Sequence, residues 1–152
     1  MSTEHPPTEL TIVQVVIGDS DYLAERRLRY EVLRRPIGWD EGTERQAVED
    51  QALHWVAKDA AGKVIGCVMM HDQGDGTARL LQMAVTEPLQ GRDIGRRLVK
   101  TLEAHAREQG IHTISLHARQ SAIPFYERLG YATYGDPYVE VTLPHQSMKR
   151  SL

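Results

Sequence analysis

Along the first half of the chain, apolar residues occur either in short β-branched runs or at helical spacing. These two patterns predict its strands and its helix. Runs rich in β-branched and apolar residues predict four strands, over residues 11–17, 53–58, 63–71 and 78–85. Apolar residues recur at helical spacing over residues 21–34, which predicts an amphipathic helix that Pro36 and Gly38 end. Turn residues between the last three strands predict an antiparallel meander.

The second half of the chain alternates helices with strands. A long helix with one apolar face is predicted over residues 95–109, and Gly110 follows it at the C-cap position. The other predicted elements are a strand over residues 112–116, a helix over 121–129 and strands over 131–134 and 138–143. The succession of strand, helix and strand over residues 78–116 implies a parallel pair with a right-handed crossover. We therefore expect an α/β fold of the α+β kind: a mixed, mostly antiparallel seven-stranded sheet with a central parallel pair and about four flanking helices.

Composition and charge narrow the class of protein. The 152 residues are 41% apolar and 26% charged, which is typical of one globular domain. The net charge of −3 gives no reason to expect nucleic-acid binding. A single cysteine, Cys67, excludes an internal disulfide framework and fits a reducing cytoplasm. We expect a flexible segment over residues 1–10, one domain over 11–152, a cytoplasmic location and no membrane partner, because the apolar runs are far shorter than the ~20 residues that span a bilayer.

The segment between Val85 and the long helix has the features of a phosphate-binding loop. Gly91 and Gly95 permit close backbone approach, and the N–H groups of the first helical turn point into the loop. Arginines add positive charge at positions 92, 96 and 97. Taken alone, the segment is equally compatible with an ordinary strand-to-helix turn that carries solvated arginines. It lacks the Gly-Lys-Ser/Thr of a nucleotide-triphosphate loop.

Two segments resemble the signatures of the GNAT superfamily of acetyl-CoA-dependent N-acyltransferases. Residues 81–86 (LQMAVT) and 90–98 (QGRDIGRRL) resemble its central motif, in which a Gln/Arg-x-x-Gly-x-Gly/Ala segment binds the coenzyme pyrophosphate. Residues 122–131 (AIPFYERLGY) resemble its second signature, Ala-x-x-x-Tyr-Glu-x-x-Gly-aromatic. The predicted order of elements also matches the family fold, so the resemblance covers the chain from about residue 11. Residues 117–120 (HARQ) and Pro144-His145 resemble one subgroup.

The resemblance implies a set of coenzyme-binding residues. They are Met83, Ala84, Val85, Gln90, Gly91, Arg92, Asp93, Ile94, Gly95, Arg96, Arg119, Ala122, Phe125 and Tyr126. Asp93 stands where the family usually has glycine, and Arg119 where many relatives have asparagine. We expect the Asp93 carboxylate to point outward and cap the helix, with Arg92 or Arg96 offsetting its charge.

The resemblance also implies a reaction: transfer of an acetyl group from acetyl-CoA to a primary amine, by direct attack in a ternary complex and without a metal. The N–H of Val85 is expected to stabilise the oxyanion, and Tyr126 to protonate the leaving thiolate. For the general base, the subgroup resemblance favours Glu140 and His145. Further candidates for the base are His54, His117 and Glu49, and a water chain leading to bulk solvent is another route for the proton.

Several alternatives stay open at this level. Cys67 is expected to be a core residue rather than a nucleophile, and the acidic residues between positions 40 and 50 to form a solvated loop rather than attract an amine. We expect the acceptor to be a small-molecule amine. In one alternative, the acceptor is a peptide or a protein. In another, the chain is a non-catalytic acyl-CoA sensor. A homodimer is compatible with the final strands.

Overall fold

The computed structural model describes residues 9–152, so the expected flexibility of residues 1–8 lies outside the described part of the chain. Within residues 9–152 there are seven strands and three α-helices. The strands are β1 (Thr11–Gln14), β2 (Leu53–Lys58), β3 (Val64–Gly74), β4 (Thr77–Val85), β5 (Thr113–Arg119), β6 (Ala132–Glu140) and β7 (Leu143–Ser151). The helices are α1 (Ser20–Arg29), α2 (Ile94–Glu108) and α3 (Ile123–Arg128).

The seven strands form one mixed sheet in the order β1-β2-β3-β4-β5-β7-β6. Strands β4 and β5 are parallel, and residues Thr77–Arg79 pair with Thr113–Ser115. The pairs β1–β2, β5–β7 and β6–β7 are antiparallel. The predicted fold class, a mostly antiparallel sheet with a central parallel pair, is therefore confirmed.

The contacts within the chain divide it into two compact units. The first unit comprises the chain up to Met69 together with Gln82–Leu102, and the second comprises Met70–Leu81 together with Glu103–Leu152. The first unit thus contains α1, the end of β4 and the start of α2. The second contains α3, β5, β6 and β7.

The core of the first unit forms where α1 packs on the sheet. Asp19 caps this helix, since its side chain accepts a hydrogen bond from the N–H of Tyr22 at 2.9 Å. Tyr22 and Leu28 of α1 pack in one buried cluster with Val15, Val56, Val64, Cys67 and Ala84. The helix predicted over residues 21–34 continues past α1 as a π-helical turn, Tyr30–Arg34, and a 3-10 turn, Arg35–Ile37.

The core of the second unit combines an apolar sheet face with one buried carboxylate. Ile114, Leu116 and Met148 are fully or nearly fully buried on β5 and β7. The buried Glu103 of α2 accepts hydrogen bonds from the Tyr131 hydroxyl and the Arg150 guanidinium, each at 2.8 Å. Because both oxygens of this carboxylate are paired, its burial is compensated.

The prediction of a final strand over residues 138–143 is wrong. β6 continues to Glu140 across an irregularity between Tyr134 and Tyr138, and β7 begins only at Leu143. Val141 and Thr142 form a two-residue hairpin turn between them, with φ values of 46° and 65°. Such turns require positive φ and usually contain Asn or Gly, so a β-branched pair at this position imitates the sequence of a strand.

Candidate functional site

The loop between β4 and α2 has the backbone conformation that the predicted phosphate site needs. A 3-10 turn, Glu87–Leu89, follows the strand, and the side-chain amide of Gln90 donates to the carbonyl of Val85 at 2.9 Å. Gly91 has φ +79° with open space where a Cβ would lie, and Asp93 has φ +73°. These two left-handed residues turn the chain directly into α2.

Asp93 is exposed and its charge is paired, which confirms the expected orientation and compensation. The Arg96 guanidinium donates from Nε to Oδ1 at 2.5 Å and from Nη2 to Oδ2 at 2.8 Å. The hydrogen bond and the charge of Arg96 lower the pKa of Asp93. Asp93 starts the helix through its main chain, whose carbonyl accepts from the N–H of Arg97 at 3.1 Å, while both carboxylate oxygens bind Arg96. The arginine, rather than a side-chain cap, therefore accounts for the position of this carboxylate.

The start of α2 is held against β3 by a close contact at Gly66. A Cβ at this position would lie 3.0 Å from Leu98 Cδ1, 3.1 Å from Ile94 Cγ2 and 3.4 Å from the Ala84 carbonyl oxygen. Only a glycine lets the helix approach so closely without displacing these neighbours. The first N–H groups of α2, which lack acceptors within the helix, are thus held in a defined place beside the loop.

The end of β4 is irregular. Gln82 has φ +52°, and a left-handed residue within a strand is typical of a β-bulge. The N–H of Thr86 donates to the Ile65 carbonyl of β3 at 2.9 Å. Because successive N–H groups of a strand point to opposite edges, the N–H of Val85, the predicted oxyanion donor, points away from β3.

Tyr126 lies in the second unit, on α3, and is almost fully buried. Its ring makes edge-to-face contacts with Phe125, at 4.9 Å between centroids, and with Tyr131, at 5.7 Å. Burial raises the pKa of the Tyr126 hydroxyl, so the phenol keeps its proton at neutral pH. Of the other coenzyme-binding residues predicted here, Ala122 lies in a 3-10 turn, and burial lowers the pKa of Arg119 at the end of β5.

Four polar side chains from four strands of the second unit form a cluster, which we call the Glu140 cluster. Its members are Arg79, His117, Glu140 and His145. His117 Nδ1 lies 3.0 Å from Arg79 Nη2 and 3.1 Å from Glu140 Oε1. His145 Nε2 lies 3.6 Å from Glu140 Oε2. The structure thus brings together the two favoured candidates for the base, adds His117, and includes an arginine that the sequence did not indicate.

The other two candidates for the base, Glu49 and His54, belong to a buried ion-pair network in the first unit. We call it the Arg29 network: Glu25, Arg29, Glu49 and His54. Arg29 Nη1 donates to Glu25 at 2.9 Å and to Glu49 at 2.6 Å, and Nη2 donates to the second Glu49 oxygen at 2.8 Å. Burial raises the pKa of Glu49, but the hydrogen bonds and charge of Arg29 outweigh it and bring the pKa to about 2. Such a carboxylate is too weak a base to take a proton from an amine.

Both ring nitrogens of His54 face oxygen atoms in this network. Nδ1 lies 2.8 Å from Glu25 Oε2 and Nε2 lies 2.9 Å from the Glu49 carbonyl oxygen, and both oxygens can only accept. Burial lowers the pKa of His54, but the hydrogen bond and charge of Glu25 outweigh it and raise the pKa above its ordinary value. When His54 is protonated, the network holds two cations, Arg29 and His54, and two carboxylates, Glu25 and Glu49.

The carboxylates of Glu25 and Glu49 and the ring of His54 lie within 4.8 Å of one another, a spacing that a metal ion could use. Arg29 already supplies the positive charge between the two carboxylates. We therefore interpret the group as an ion-pair network. The sequence shows Glu25 and Arg29 at helical i,i+4 spacing, but nothing local indicates that Glu49 and His54 join them.

The expectation that residues 40–50 form a solvated acidic loop is wrong for two of its carboxylates. Glu44 and Glu49 are buried, and Glu44 pairs with Arg26 of α1. The reason is that α1 presents arginines to the loop, and each needs an anionic partner once it is removed from water.

Cys67 is fully buried in the core of the first unit. Burial raises the pKa of its thiol, which stays protonated. The expectation that Cys67 is a core residue is confirmed, and a buried thiol is a poor nucleophile.

The predicted site residues divide between the two units. Those from Met83 to Arg96 lie in the first unit, and Arg119, Ala122, Phe125, Tyr126, Glu140 and His145 lie in the second.

None of the helices in the described part of the chain combines the length and apolar character that crossing a membrane requires.

Comparison with known proteins finds a family model and curated relatives that match part of this chain. A model of the acetyltransferase (GNAT) family matches residues 21–131. An uncharacterized acetyltransferase from the arcA 3′ region of Streptococcus pyogenes is 35% identical over 63 residues, which is 41% of this chain and 43% of that protein. The uncharacterized protein YyaT of Bacillus subtilis is 29% identical over 76 residues, 50% of this chain and 51% of that protein. The match therefore spans about half the length, or less, of these curated relatives.

Solved structures share the fold over almost the full chain. A Lactobacillus plantarum protein described as an N-acetyltransferase has a TM-score of 0.85 at 24% identity, covering 94% of this chain and 98% of that one. An aminoglycoside 6′-N-acetyltransferase complexed with coenzyme A has a TM-score of 0.75 at 18% identity, covering 93% and 96%. Escherichia coli ElaA has a TM-score of 0.72 at 20% identity, covering 94% and 99%. At identities this low, the likenesses establish the fold alone.

Proposed function

Because the chain belongs to the acetyltransferase (GNAT) family, we propose that it transfers an acetyl group from acetyl-CoA to a primary amine of a small molecule. The amine attacks directly, in a ternary complex of protein, acetyl-CoA and acceptor. We further propose a cytoplasmic location and a single acetyltransferase domain over residues 11–152 that includes both units.

The loop at the start of α2 is the observation that carries this proposal. Its two left-handed residues, Gly91 and Asp93, present the free N–H groups of the first helical turn, and the partial positive charge of the helix terminus lies there. Asp93 is neutralised by Arg96, so Arg92 and Arg97 leave the loop with positive charge. Such a loop fits the pyrophosphate of the coenzyme.

The end of β4 supports the placement of the thioester. The Val85 N–H points away from β3, so it is oriented to donate to a ligand along that edge of the strand, and the amides of the pantetheine arm can add to the same edge like a further strand. Loss of one oxyanion donor typically costs about 10²–10³ in rate.

The proton of the leaving thiolate is assigned to Tyr126, as the family resemblance implies. Its buried phenol is neutral at physiological pH and therefore has a proton to give. The protonated thiol of Cys67 supports direct attack by the amine over a covalent acetyl-cysteine route.

The experiment that tests the proposed function is release of free coenzyme thiol from acetyl-CoA across a panel of primary amines. We expect turnover with at least one small amine, and thermal stabilisation of the protein by coenzyme A. Stabilisation without turnover on any small amine, peptide or protein would favour an acyl-CoA sensor. Turnover confined to peptides or proteins would replace the small-molecule acceptor. Absence of both stabilisation and turnover would refute the proposal.

A further inference from the structure

Resting on the proposed function, we infer that Cys67 is a positioning residue for acetyl transfer. Its thiol holds the main chain of β4 at the left-handed residue Gln82, and through that strand it fixes the direction of the Val85 N–H. Every residue that carries this inference lies in the first unit. The sulfur is fully buried, so it acts through β4 and not as a nucleophile.

The backbone conformation of Gln82 needs support from its surroundings. Its φ of +52° is left-handed, a region that is unfavourable for a residue with a Cβ. Such a conformation persists only where the surrounding contacts enforce it. A left-handed residue within a strand also turns its carbonyl away from the regular hydrogen-bonding direction. That carbonyl therefore needs a donor from outside the regular ladder.

Cys67 supplies a donor from β3, the neighbouring strand in the sheet. Its Sγ donates to the Gln82 carbonyl oxygen at 3.5 Å, a distance that fits an S–H···O hydrogen bond. Burial raises the pKa of the thiol, and this effect outweighs a hydrogen bond from the Ala84 main chain that acts in the opposite direction. The sulfur therefore keeps, at neutral pH, the proton that it donates.

Burial gives this weak hydrogen bond its importance. Cys67 is fully buried among apolar side chains of α1, β2 and β3, so water does not replace the thiol at its end of the contact. A buried carbonyl that loses its donor costs more free energy than the hydrogen bond itself contributed. Removal of the S–H group should therefore disturb the backbone at Gln82 rather than leave it as it is.

The two residues before Cys67 on β3 contact the same stretch of chain. Gly66 approaches so closely that a Cβ at its position would lie 3.4 Å from the Ala84 carbonyl oxygen. The Ile65 carbonyl accepts a hydrogen bond from the Thr86 N–H at 2.9 Å. Together with the thiol, these are three consecutive residues of β3 in contact with the end of β4 and the residue that follows it. The thiol is the contact furthest from the loop before α2.

Val85 lies between two supported points of the chain. After it, its own carbonyl accepts a hydrogen bond from the Gln90 side chain at 2.9 Å. Before it, the Gln82 carbonyl accepts from Cys67 at 3.5 Å. The N–H of Val85 belongs to the rigid peptide plane that joins this residue to Ala84. The direction of the N–H therefore depends on the chain before it, which is where Cys67 acts.

A displaced donor loses most of its effect on an oxyanion. A misplacement of about 1 Å can lower a rate by about 10²-fold, and complete loss of one oxyanion donor typically costs about 10²–10³. We therefore expect loss of the Cys67 thiol to lower kcat by about 10–100-fold. Binding of the coenzyme pyrophosphate should change little, because it depends on the loop before α2 and not on β4.

The first test is independent of activity. The chain has one cysteine, so the S–H stretching band in the infrared spectrum of the full chain belongs to Cys67. We expect this band at a lower wavenumber than that of a thiol without a hydrogen bond, because donation weakens the S–H bond. Gln82→Val should move the band toward the position of a free thiol, since a β-branched residue disfavours the left-handed backbone. Gln82→Gly is the matched control: it accepts that backbone and should leave the band in place.

The second test compares three variants of Cys67, using an amine found by the thiol-release panel. Cys67→Ala removes the donor, Cys67→Val removes it but fills the space, and Cys67→Ser keeps a donor. The alanine and valine variants should lower kcat by about 10–100-fold, whereas the serine variant should retain most of the activity. The Kd for coenzyme A, measured by calorimetry, should stay near the wild-type value in all three.

Urea unfolding of the same variants separates positioning from packing. If Cys67 only packs, kcat should follow the unfolding free energy, and valine should be the best replacement because it fills the apolar cluster. If Cys67 positions β4, kcat should follow the presence of the donor, whatever the order of stability. Cys67→Ala provides the comparison with serine if Cys67→Val folds poorly.

The outcomes separate this inference from the proposed function. An S–H band at the position of a free thiol would overturn the inference while leaving acetyl transfer intact, and so would a kcat that follows stability instead of the donor. A hydrogen-bonded thiol without turnover on any amine would instead refute the acetyltransferase proposal. In that case the positioning role falls with it, and the contact between Cys67 and Gln82 remains as part of the fold.

Discussion

Asp93 combines two features that each need an explanation at the residue scale. Its backbone is left-handed, with φ +73°, at a position where the family usually has glycine. Aspartate is among the few non-glycine residues that enter this region. Its carboxylate, which would repel a pyrophosphate, accepts two hydrogen bonds from Arg96, from Nε and Nη2. The substitution therefore preserves the shape of the loop and cancels its own charge.

Replacing Asp93 should consequently have a small effect on coenzyme binding. We expect Asp93→Gly to change the Kd for coenzyme A, measured by titration calorimetry, by less than tenfold, because the lost charge is already neutralised. Arg96→Gln is the matched comparison: it leaves the carboxylate unpaired and should weaken binding more. An improvement above tenfold in Asp93→Gly would show that the carboxylate opposes the pyrophosphate.

Tyr126→Phe tests the proposed general acid. Removing only the hydroxyl should lower kcat by about 10²–10⁴, while the Kd for coenzyme A stays near the wild-type value, because the ring still packs against Phe125 and Tyr131. Steady-state kinetics with calorimetry on the same variant gives both quantities. Unchanged turnover would leave Tyr126 as a packing residue.

At the scale of elements, two contacts hold the helices α1 and α2 against their neighbours. Gly66 sets how closely α2 approaches β3, and the Arg29 network ties α1 to the segment that precedes β2. The first contact depends on the absence of a side chain. The second depends on four buried ionisable groups, which are tolerated only because their charges and hydrogen bonds compensate one another.

Gly66→Ala should crowd the start of α2. Its Cβ would meet Leu98, Ile94 and the Ala84 carbonyl within 3.4 Å, and overpacking of this kind typically costs about 1–3 kcal/mol of unfolding free energy. Urea unfolding measures the loss, and coenzyme affinity should fall as the helix start shifts. Leu98→Val makes room at this contact, so the double variant should be more stable than the sum of the single effects. Simple additivity would argue against the crowding.

Arg29→Leu should be strongly destabilising, because it leaves Glu25 and Glu49 buried without a cation. Breaking a buried pair in this way typically costs about 3–5 kcal/mol, which urea unfolding can measure. The control is Arg35→Ala, which removes an exposed i,i+4 pair with Glu31 and should leave the unfolding midpoint nearly unchanged. Equal effects of the two substitutions would contradict the importance of burial.

At the scale of the whole molecule, the Arg29 network links stability to pH. Because the pKa of Glu49 is lowered to about 2, its ionised carboxylate stabilises the folded protein fully above the ordinary pKa near 4.5. This stabilisation is lost as the pH falls toward 2. Because the pKa of His54 is raised, its protonated ring stabilises the folded protein fully below the ordinary pKa of 6.5. This stabilisation is lost as the pH rises through the raised pKa. Both contributions are complete together between pH 4.5 and 6.5.

The contribution of His54 to unfolding free energy should therefore decline above pH 6.5. His54→Gln should remove this part of the slope, because a glutamine at that position cannot carry the second positive charge. Urea titrations of the wild type and His54→Gln, at half-unit steps from pH 4.5 to 8.5, compare the two slopes. Parallel slopes above pH 6.5 would show that His54 is neutral in the folded protein.

The local sequence was sufficient to predict the bounds of an element where the pattern of apolar residues was clear. The bounds of β2 coincide with the predicted strand, and α2 begins one residue before its predicted start. β2 is a short run of mostly apolar residues, and α2 has one long apolar face. Prediction failed at Val141 and Thr142, whose β-branched side chains favour a strand although the backbone makes a hairpin turn. It also failed at Glu44 and Glu49, where burial depends on arginines that are distant in sequence.

The sequence by itself determined the order and type of most elements, the family, and the loop in front of α2, because these depend on neighbours within a few residues. Only the tertiary structure decided which ionisable groups meet. Arg79, His117, Glu140 and His145 come together through the order and register of four strands. Glu25, Arg29, Glu49 and His54 come together through packing of α1 near β2. The contacts in both groups join residues that are distant in sequence, and no local spacing contains them.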